Sequence, residues 1–544
     1  MTIVGSLLTI FWKLRKKTLY NCVAMKFGER IVRICLVNPP VIGVMEPWYD
    51  TPDFGRTGLA YLAGYLRHFT SVEIKIIDAK FERLDFAQTI KRIIDFNPDI
   101  VGFTAFTNEI KPAAYTATKI KQALSSCITV IGGVHVTAIP KETLMEFFAF
   151  DIGVIGEGEQ TLLELCNAVA IGGSYRDIAG VIYREEGRLV ITPPRARIAD
   201  QDSIPFPAWD LLPPAKTYYI QSERGCPFSC IFCMNPNGKV ARKRSVSNVI
   251  DEINLLISTF KPNRISFGDE LFSVDMERAK NLIDAIKVNK IGEKVKWDVQ
   301  THVHYVDYEM FLQFKAANVD RVELGIETGD AESLRKMGKG TNLGKIFAAI
   351  EAGKKAGVNI GTFFLLGQPN ETLKSLQSTV DLAVKLNPTL PMFGLMTPYP
   401  GTEVAKMAAK GEAGYKLLTT NWDEYNKQIG GAMEFANLTR RQIEWFQVKA
   451  YLKVYLLNYR FAELIRFVWD YRKAAFEVFK KILFKRNTLT HSLNQKPKDY
   501  EEMIYNNYTT EKETLISARD EWNDYQSNEA KRLKTLKLTT TSKY

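Results

Sequence analysis

Arg224-Gly225-Cys226-Pro227-Phe228-Ser229-Cys230-Ile231-Phe232-Cys233 puts three cysteines into eight residues, directly after the strand-like run from Tyr218 to Ser222. The chain has seven cysteines in 544 residues, and the other four (Cys22, Cys35, Cys127, Cys166) are scattered. An odd count without regular spacing argues against a secreted disulfide framework, so the triplet reads as a metal-ligand set in a reducing compartment. A cubane 4Fe-4S cluster has four irons, and the proteins that hold one normally offer a cysteine to each. Three thiolates from one loop leave one iron open to an outside ligand. The alternative, a zinc knuckle, pairs cysteines two residues apart and needs a fourth ligand. The chain has five histidines, and the nearest downstream are His302 and His304.

Outward from the triplet, short β-branched runs alternate with helical stretches, the pattern of parallel strands joined by crossover helices. Downstream, strands are predicted at Tyr218 to Ser222, Arg264 to Phe267, Val295 to Gln300, Val322 to Gly325, Ile360 to Leu366 and Met392 to Met396. Six such units predict a partial (β/α)6 TIM barrel, with its chemistry at the C-terminal ends of the strands. Upstream, strands are predicted at Ile31 to Val37, Ile74 to Ile77, Ile100 to Thr104, Thr129 to Ile131 and Ile152 to Ile155. These form an N-terminal doubly wound, Rossmann-like parallel sheet. Pro205, Pro207, Pro213 and Pro214 break the periodicity between the two regions and mark a linker. The expected α/β organisation is an N-terminal extension over 1–29, a sheet domain over 30–197, a linker over 198–215, the barrel over 216–415 and a helical C-terminal domain over 416–544.

The C-x3-C-x2-C loop, together with the motifs at the ends of the later strands, resembles the radical S-adenosylmethionine superfamily. Phe232, before the third cysteine, corresponds to the aromatic residue that packs near the cofactor's adenine. Phe267-Gly268-Asp269-Glu270-Leu271-Phe272 is similar to the family's glycine-and-acid motif, where an anionic pair suits an ammonium group. Glu323-Leu324-Gly325-Ile326-Glu327-Thr328-Gly329 looks like the fourth-strand motif whose second acid, Glu327, approaches the ribose. Leu366-Gly367-Gln368-Pro369-Asn370-Glu371-Thr372 and Pro398-Tyr399-Pro400-Gly401-Thr402 resemble the fifth- and sixth-strand signatures. The resemblance implies that Cys226, Cys230 and Cys233 hold the cluster. It also implies that Phe232, Gly268, Asp269, Glu270, Gln300, Glu327 and Leu366 receive S-adenosylmethionine, which is cleaved by one-electron reduction to methionine and a 5′-deoxyadenosyl radical. One departure stands out: after Gln300-Thr301 many relatives carry Arg, and this chain has His302.

The front domain has small and polar residues near its strand ends, where open parallel sheets bind ligands. They include Asn38-Pro39-Pro40, Gly58-Leu59, Thr104 to Asn108 (with Thr107), Gly132-Gly133-Val134-His135 and Gly156-Glu157-Gly158-Glu159. This pattern resembles the cobalamin-binding domain found ahead of the barrel in one large class of these enzymes, the methyltransferase-like class B, and implies cobalamin contacts along those stretches. The Asp-x-His-x-x-Gly motif, which supplies a cobalt ligand in other cobalamin proteins, is nearest to Asp78-Ala79-Lys80, with Arg83 at the glycine position. The lower-ligand histidine is therefore absent, as is common in the radical class. The implied chemistry is C-methylation of an unactivated carbon. The alternatives are a cobalamin-dependent radical cyclase or rearrangement enzyme, or a non-catalytic cobalamin or metal sensor. A tRNA methylthiotransferase would need a second cysteine triplet in front, and there is none.

The net charge of +11 is concentrated late in the chain, with ten Lys/Arg against three Asp/Glu between Lys449 and Arg486. Aromatics interspersed there fit a helical cap over the barrel mouth or a basic amphipathic helix on an anionic membrane. No recognised nucleic-acid motif accompanies the charge. A lipid or other small-molecule substrate and an electron donor such as flavodoxin or ferredoxin are the expected partners. The apolar stretch Met1 to Trp12 is too short to span a bilayer, and its basic run follows rather than precedes it, so it is no secretory signal. Either it lies on a membrane surface or Met25 is the true start. The expected location is the cytoplasm, with peripheral contact at the inner face of the membrane left open.

Overall fold

The computed structural model describes residues 31–41, 52–427, 431–470, 472, 499, 500 and 503. The expectations for Met1 to Trp12 and Met25, and for the basic segment beyond 472, lie outside the described residues.

Five strands, β1 (Arg33–Asn38), β2 (Glu73–Asp78), β3 (Ile100–Thr104), β4 (Ile128–Gly132) and β5 (Ile152–Val154), pair in parallel in the order β2-β1-β3-β4-β5. Their β-branched runs are buried on both faces, as a sheet covered by helices on each side requires. The alternation is visible in β1: Ile34 and Leu36 enter a core continuous with the barrel, while Cys35 and Val37 enter a second core on the opposite face. Two strands were not expected from the sequence. β6 (Val181–Glu185) and β7 (Arg188–Ile191) extend the sheet antiparallel to β5. They turn through Glu186 and Gly187, both at positive φ (48° and 74°).

The second sheet contains β8 (Thr217–Ile220), β11 (Arg264–Phe267), β12 (Lys296–Thr301), β13 (Arg321–Glu327), β14 (Ile360–Leu366) and β15 (Leu390–Leu395), all parallel and in sequential order. It is an open six-stranded arc. Its helices start on caps whose side chains accept a backbone N–H of the first turn: Ser245, Asp275, Asp307, Asn342, Thr372 and Thr402. Between β8 and β11 a short antiparallel pair, β9 (Glu223–Arg224) with β10 (Arg242–Lys243), closes the base of the cysteine loop.

The helix Thr57–Phe69 lies between the two sheets, with Thr57 Oγ1 donating to Tyr219 O at 3.2 Å. The proline-rich segment packs against both domains. Ala208 N donates to Ala60 O at 2.8 Å, and the buried Trp209 Nε1 donates to Glu252 Oε1 at 3.1 Å. The cap expected over the barrel mouth is elsewhere in its described part. Helix Arg440–Leu457 covers the open edge of β15, where Tyr451 OH accepts from Phe393 N (3.1 Å) and Gln447 Nε2 donates to Phe393 O (2.7 Å). The unpaired backbone of an edge strand needs such a cover more than the mouth does.

Candidate active site between the two sheets

The cysteine loop leaves β9 through Gly225 at φ +108°, where an added Cβ would lie 2.2 Å from Val240 O. Only glycine fits this conformation and this approach. Beyond it, Cys226 N donates to Gly238 O (3.0 Å) and Asn235 Nδ2 donates to Cys226 O (2.7 Å). Ile231 N donates to Met337 O (3.1 Å) and Ile231 O accepts from Val404 N (3.1 Å), so the segments after β13 and β15 hold the loop from two sides. Cys226 and Cys230 are half-buried, Cys233 is exposed, and all three are free thiols. A hydrogen bond between Cys233 and Cys230 lowers the pKa of Cys230 and raises that of Cys233, whereas burial raises that of Cys226. Among the described residues no three His, Cys, Asp or Glu side chains are drawn together tightly enough to hold a metal ion. The donor chemistry nevertheless suits an iron-sulfur cluster: three soft thiols on one pinned loop.

The acids after β11 turn towards this loop. Asp269 is fully buried and accepts from Ser222 N (2.6 Å), Ser222 Oγ (2.6 Å) and Glu223 N (3.0 Å). Its carboxylate thus holds the strand that leads into the cysteines. Glu270 reaches the loop itself, accepting from Gly225 N (3.3 Å) and Asn237 Nδ2. Gln300 Nε2 donates to Asp269 O (2.8 Å). Glu327 follows a bulge at φ +70° and is ion-paired with the buried Lys339. Phe232 packs against the core, Leu366 is buried in β14, and Gly268 opens onto a cavity. His302, at the departure from the usual Arg, stacks on Phe228 of the cysteine loop (4.4 Å) and contacts Lys339 O through Nε2 (3.1 Å).

Two adjoining spaces separate the sheets. One is a crevice of about 970 Å³, counting its open mouth. The front-domain residues Thr104, Gly132, Gly133, Gly156, Glu157, Gly158 and Glu159 line one side. The barrel's Gln221, Arg224, Pro236 and Asn237 line the other. A Cβ at Gly58 or Gly156 would meet nothing within 4 Å, and one at Gly132 only Phe103 O at 3.8 Å. This glycine cradle, with apolar walls of Leu36, Leu59, Leu62 and Val130, fits a bulky planar cofactor approaching the backbone. Thr107, Asn108, Val134 and His135 are outside the crevice lining. His135 is buried with Nδ1 3.3 Å from Thr107 Oγ1 and its ring edge-on to Trp422, and burial lowers its pKa to about 3.

The second space, about 830 Å³ with its mouth, is bounded by Asn38, Arg56, Asp78 and Lys80 in front and by Tyr219 and Gly268 in the barrel. Lys80 is buried and donates to Glu109 Oε1 (3.0 Å), whose other oxygen is paired with Arg56 (2.6 Å). Arg83, at the glycine position of the absent histidine motif, is left-handed (φ 58°).

Several residues of the site escaped the sequence reading. Arg224 and Arg242 cross to the front domain, where Arg224 is 2.8 Å from Glu159 and Arg242 is 2.6 Å from Glu157. Glu223 is buried with neither carboxyl oxygen partnered among the described residues, and burial beside Asp269 pushes its pKa up to about 9. Arg224 was legible as the residue before Gly225-Cys226, but Lys339 and Arg242 have no local signature.

Residues 50–166 match the family model of the B12 binding domain, and residues 220–383 that of the Radical SAM superfamily. The chain is 34% identical over 437 residues to the "Uncharacterized methyltransferase PH0819" of Pyrococcus horikoshii, covering 78% of this chain and 93% of that protein. It is 30% identical over 384 residues to an anaerobic magnesium-protoporphyrin IX monomethyl ester cyclase of Rubrivivax gelatinosus, covering 68% of each. Among solved structures, the radical S-adenosylmethionine methyltransferase TsrM of Kitasatospora setae, with cobalamin and a 4Fe-4S cluster bound, aligns with a TM-score of 0.62 at 19% identity. That alignment covers 79% of this chain and 89% of TsrM.

Proposed function

Because the chain belongs to the cobalamin-binding branch of the radical S-adenosylmethionine superfamily, enzymes that use cobalamin, S-adenosylmethionine and a 4Fe-4S cluster, we propose that it methylates an unactivated carbon of a small-molecule or lipid substrate. The observation that carries this reading is the crevice lined from both sides, by the glycines of the front sheet and by Arg224, Pro236 and Asn237 of the cysteine loop. When bound, the cluster with S-adenosylmethionine supplies a hydrogen-abstracting radical, and cobalamin supplies a transferable methyl group.

The chain's own residues prepare the two sites. Cys226, Cys230 and Cys233 are the cluster ligands in this reading, on a loop fixed by Gly225, Asn235 and the carbonyl of Met337. Gly268, Glu270 and Glu327 stand at the strand ends that would receive S-adenosylmethionine. Gly58, Gly132 and Gly156 leave the room that cobalamin would occupy. The second cavity, with Phe54 against Tyr219 (4.3 Å) on one side and Asn38, Arg56, Asp78 and Lys80 on the other, is the space a substrate would occupy beside the crevice. A reductant is required, and a flavodoxin or ferredoxin fits the exposure of Cys233. No described helix is long and apolar enough to cross a membrane. Helix Phe461–Asp470 exposes Phe461, Ile465, Val468 and Trp469 at helical spacing, which suits peripheral contact with a bilayer surface and a lipid substrate.

The relative named as a cyclase keeps a second reading in play, an oxidative ring closure. Mass spectrometry of metabolites in wild-type and deletion strains separates the two. A compound present only in the wild type and heavier by one methyl than its accumulating precursor is expected. A product that has lost hydrogens would point to cyclisation.

A further inference from the structure

All four residues of the Gly156-Glu157-Gly158-Glu159 stretch line the crevice, and the carboxylates of Glu157 and Glu159 also reach the barrel. Their partners are the two residues that pair across the base of the cysteine loop, Arg224 of β9 and Arg242 of β10. Glu159 accepts from Arg224 Nη2 at 2.8 Å, and Glu157 accepts from Arg242 Nη2 at 2.6 Å with Arg224 Nη1 at 3.7 Å. All four side chains are at most 10% exposed. Glu157 is held further by Ile198 N (3.0 Å), and the Arg224 guanidinium lies 5.2 Å from the ring centre of Tyr61, on the helix between the sheets. Arg224 is two residues from Cys226, with only Gly225 between them.

Buried arginines paired with carboxylates, Arg224 with both Glu159 and Glu157 and Arg242 with Glu157, fix direction as well as distance. A four-charge clamp therefore ties the root of the cysteine loop to the rim of the glycine-lined crevice. We infer that Glu157 and Glu159, with Arg224 and Arg242, are positioning residues that set the cluster loop at a fixed separation from the front-domain crevice. This rests on the two-cofactor reading only in requiring both groups to be bound. It adds that these electrostatic pairs, together with the apolar core continuous between the domains, hold the two sites in register.

The test uses the full-length protein reconstituted anaerobically with iron, sulfide and cobalamin, as wild type, Glu157→Gln, Arg242→Gln and the double variant of this 2.6 Å pair. Microwave power saturation of the cob(II)alamin signal, with the cluster oxidised and then reduced, reads the magnetic coupling between the two groups. Visible titration reads cobalamin affinity, and iron analysis reads cluster loading. The expected result is that each single variant changes the coupling several-fold and the double variant changes it no further, because the two residues act through one another. The cobalamin affinity of Arg242→Gln, whose side chain is outside the crevice lining, and the iron content of all variants stay within about threefold of wild type. A tenfold or greater loss of cobalamin affinity in Glu157→Gln with unchanged coupling would make Glu157 a cofactor contact rather than a positioning residue and overturn the inference. Unchanged coupling throughout, additive effects in the double variant, or loss of both cofactors from a single variant would overturn it as well. Failure of the wild type to bind cobalamin would instead remove the two-cofactor reading on which it stands.

Discussion

Replacing Gly225 with alanine should strip iron from the protein while leaving its fold and cobalamin site intact. The backbone there is at φ +108°, which costs a non-glycine residue about 1–3 kcal/mol. The new methyl would also stand 2.2 Å from Val240 O and 3.2 Å from Gly238 O. An ordinary carbon–oxygen contact needs more than about 3 Å, so one strand of the β9–β10 base must retreat by roughly 1 Å. Gly238 O accepts the Cys226 N–H at 3.0 Å, and that bond is lost in the retreat. Three thiolates chelating one cluster tolerate little displacement, because a misplaced ligand costs the binding free energy of its iron–sulfur bond. Anaerobic reconstitution should therefore yield a minority of the wild-type iron and sulfide. The melting temperature should fall by no more than about 5 °C, as expected for a few kcal/mol in a chain of this size. Gly58→Ala, whose methyl meets nothing within 4 Å, is the converse: full iron and weakened cobalamin binding. Wild-type iron loading in Gly225→Ala, or collapse of its whole fold, would refute this reasoning.

Lys80→Met leaves buried Glu109 with Arg56 as its remaining ion-pair partner in the Lys80–Glu109–Arg56 set and should cost about 3 kcal/mol at pH 7 by urea unfolding. Burial alone would raise the pKa of Glu109, but Arg56 and Lys80 outweigh it and hold the carboxyl below its ordinary value. Its stabilisation is therefore present above the unfolded pKa and lost as pH falls through the folded one, and the Lys80→Met deficit should shrink over that acidic window. His135 is held neutral by burial, with a pKa of about 3, so the folded state binds fewer protons than the unfolded state from there up to about 6.5. Stability should then rise with pH in that interval by up to about 1.4 kcal/mol per unit, and His135→Gln should flatten the slope measured by denaturant titration. Gln447→Ala leaves the Phe393 carbonyl on the edge strand without the Gln447 Nε2 donor and should cost about 1–3 kcal/mol in the same assay. Co-sedimentation with lipid vesicles should fall when Ile465 and Trp469, 70% and 66% exposed, are both changed to Ser.

Most of the fold could be read directly because its strands are short β-branched runs buried on both faces. Ile100–Thr104, Arg264–Phe267 and Ile360–Leu366 have the bounds expected from the sequence. The β6–β7 hairpin was hidden because its turn uses Glu186 at positive φ, where Asn or Asp is the usual signal. Helix Arg440–Leu457 was recognised as helical, but its destination depends on which strand of the barrel is left as an edge, and that is a property of topology. At the site, the three cysteines and the glycines are legible as local patterns. The pairing of Glu157 and Glu159 with Arg224 and Arg242 is not, because charges more than sixty residues apart leave no periodic trace. Asp269 illustrates the remaining gap: its motif points to a cofactor, while its carboxylate is fully engaged by Ser222 and Glu223.

The most direct measurement tracks both fates of S-adenosylmethionine in one reaction. The reconstituted, reduced protein is given methyl-deuterated S-adenosylmethionine and small-molecule extract from a deletion strain, and the coproducts are quantified by mass spectrometry. A cobalamin-dependent radical methyltransferase must form 5′-deoxyadenosine and S-adenosylhomocysteine in equal amounts, together with one labelled compound heavier by a single deuterated methyl. Formation of 5′-deoxyadenosine alone, with an unlabelled product, would contradict methyl transfer, and recovery of intact S-adenosylmethionine with both cofactors bound would contradict the radical chemistry itself.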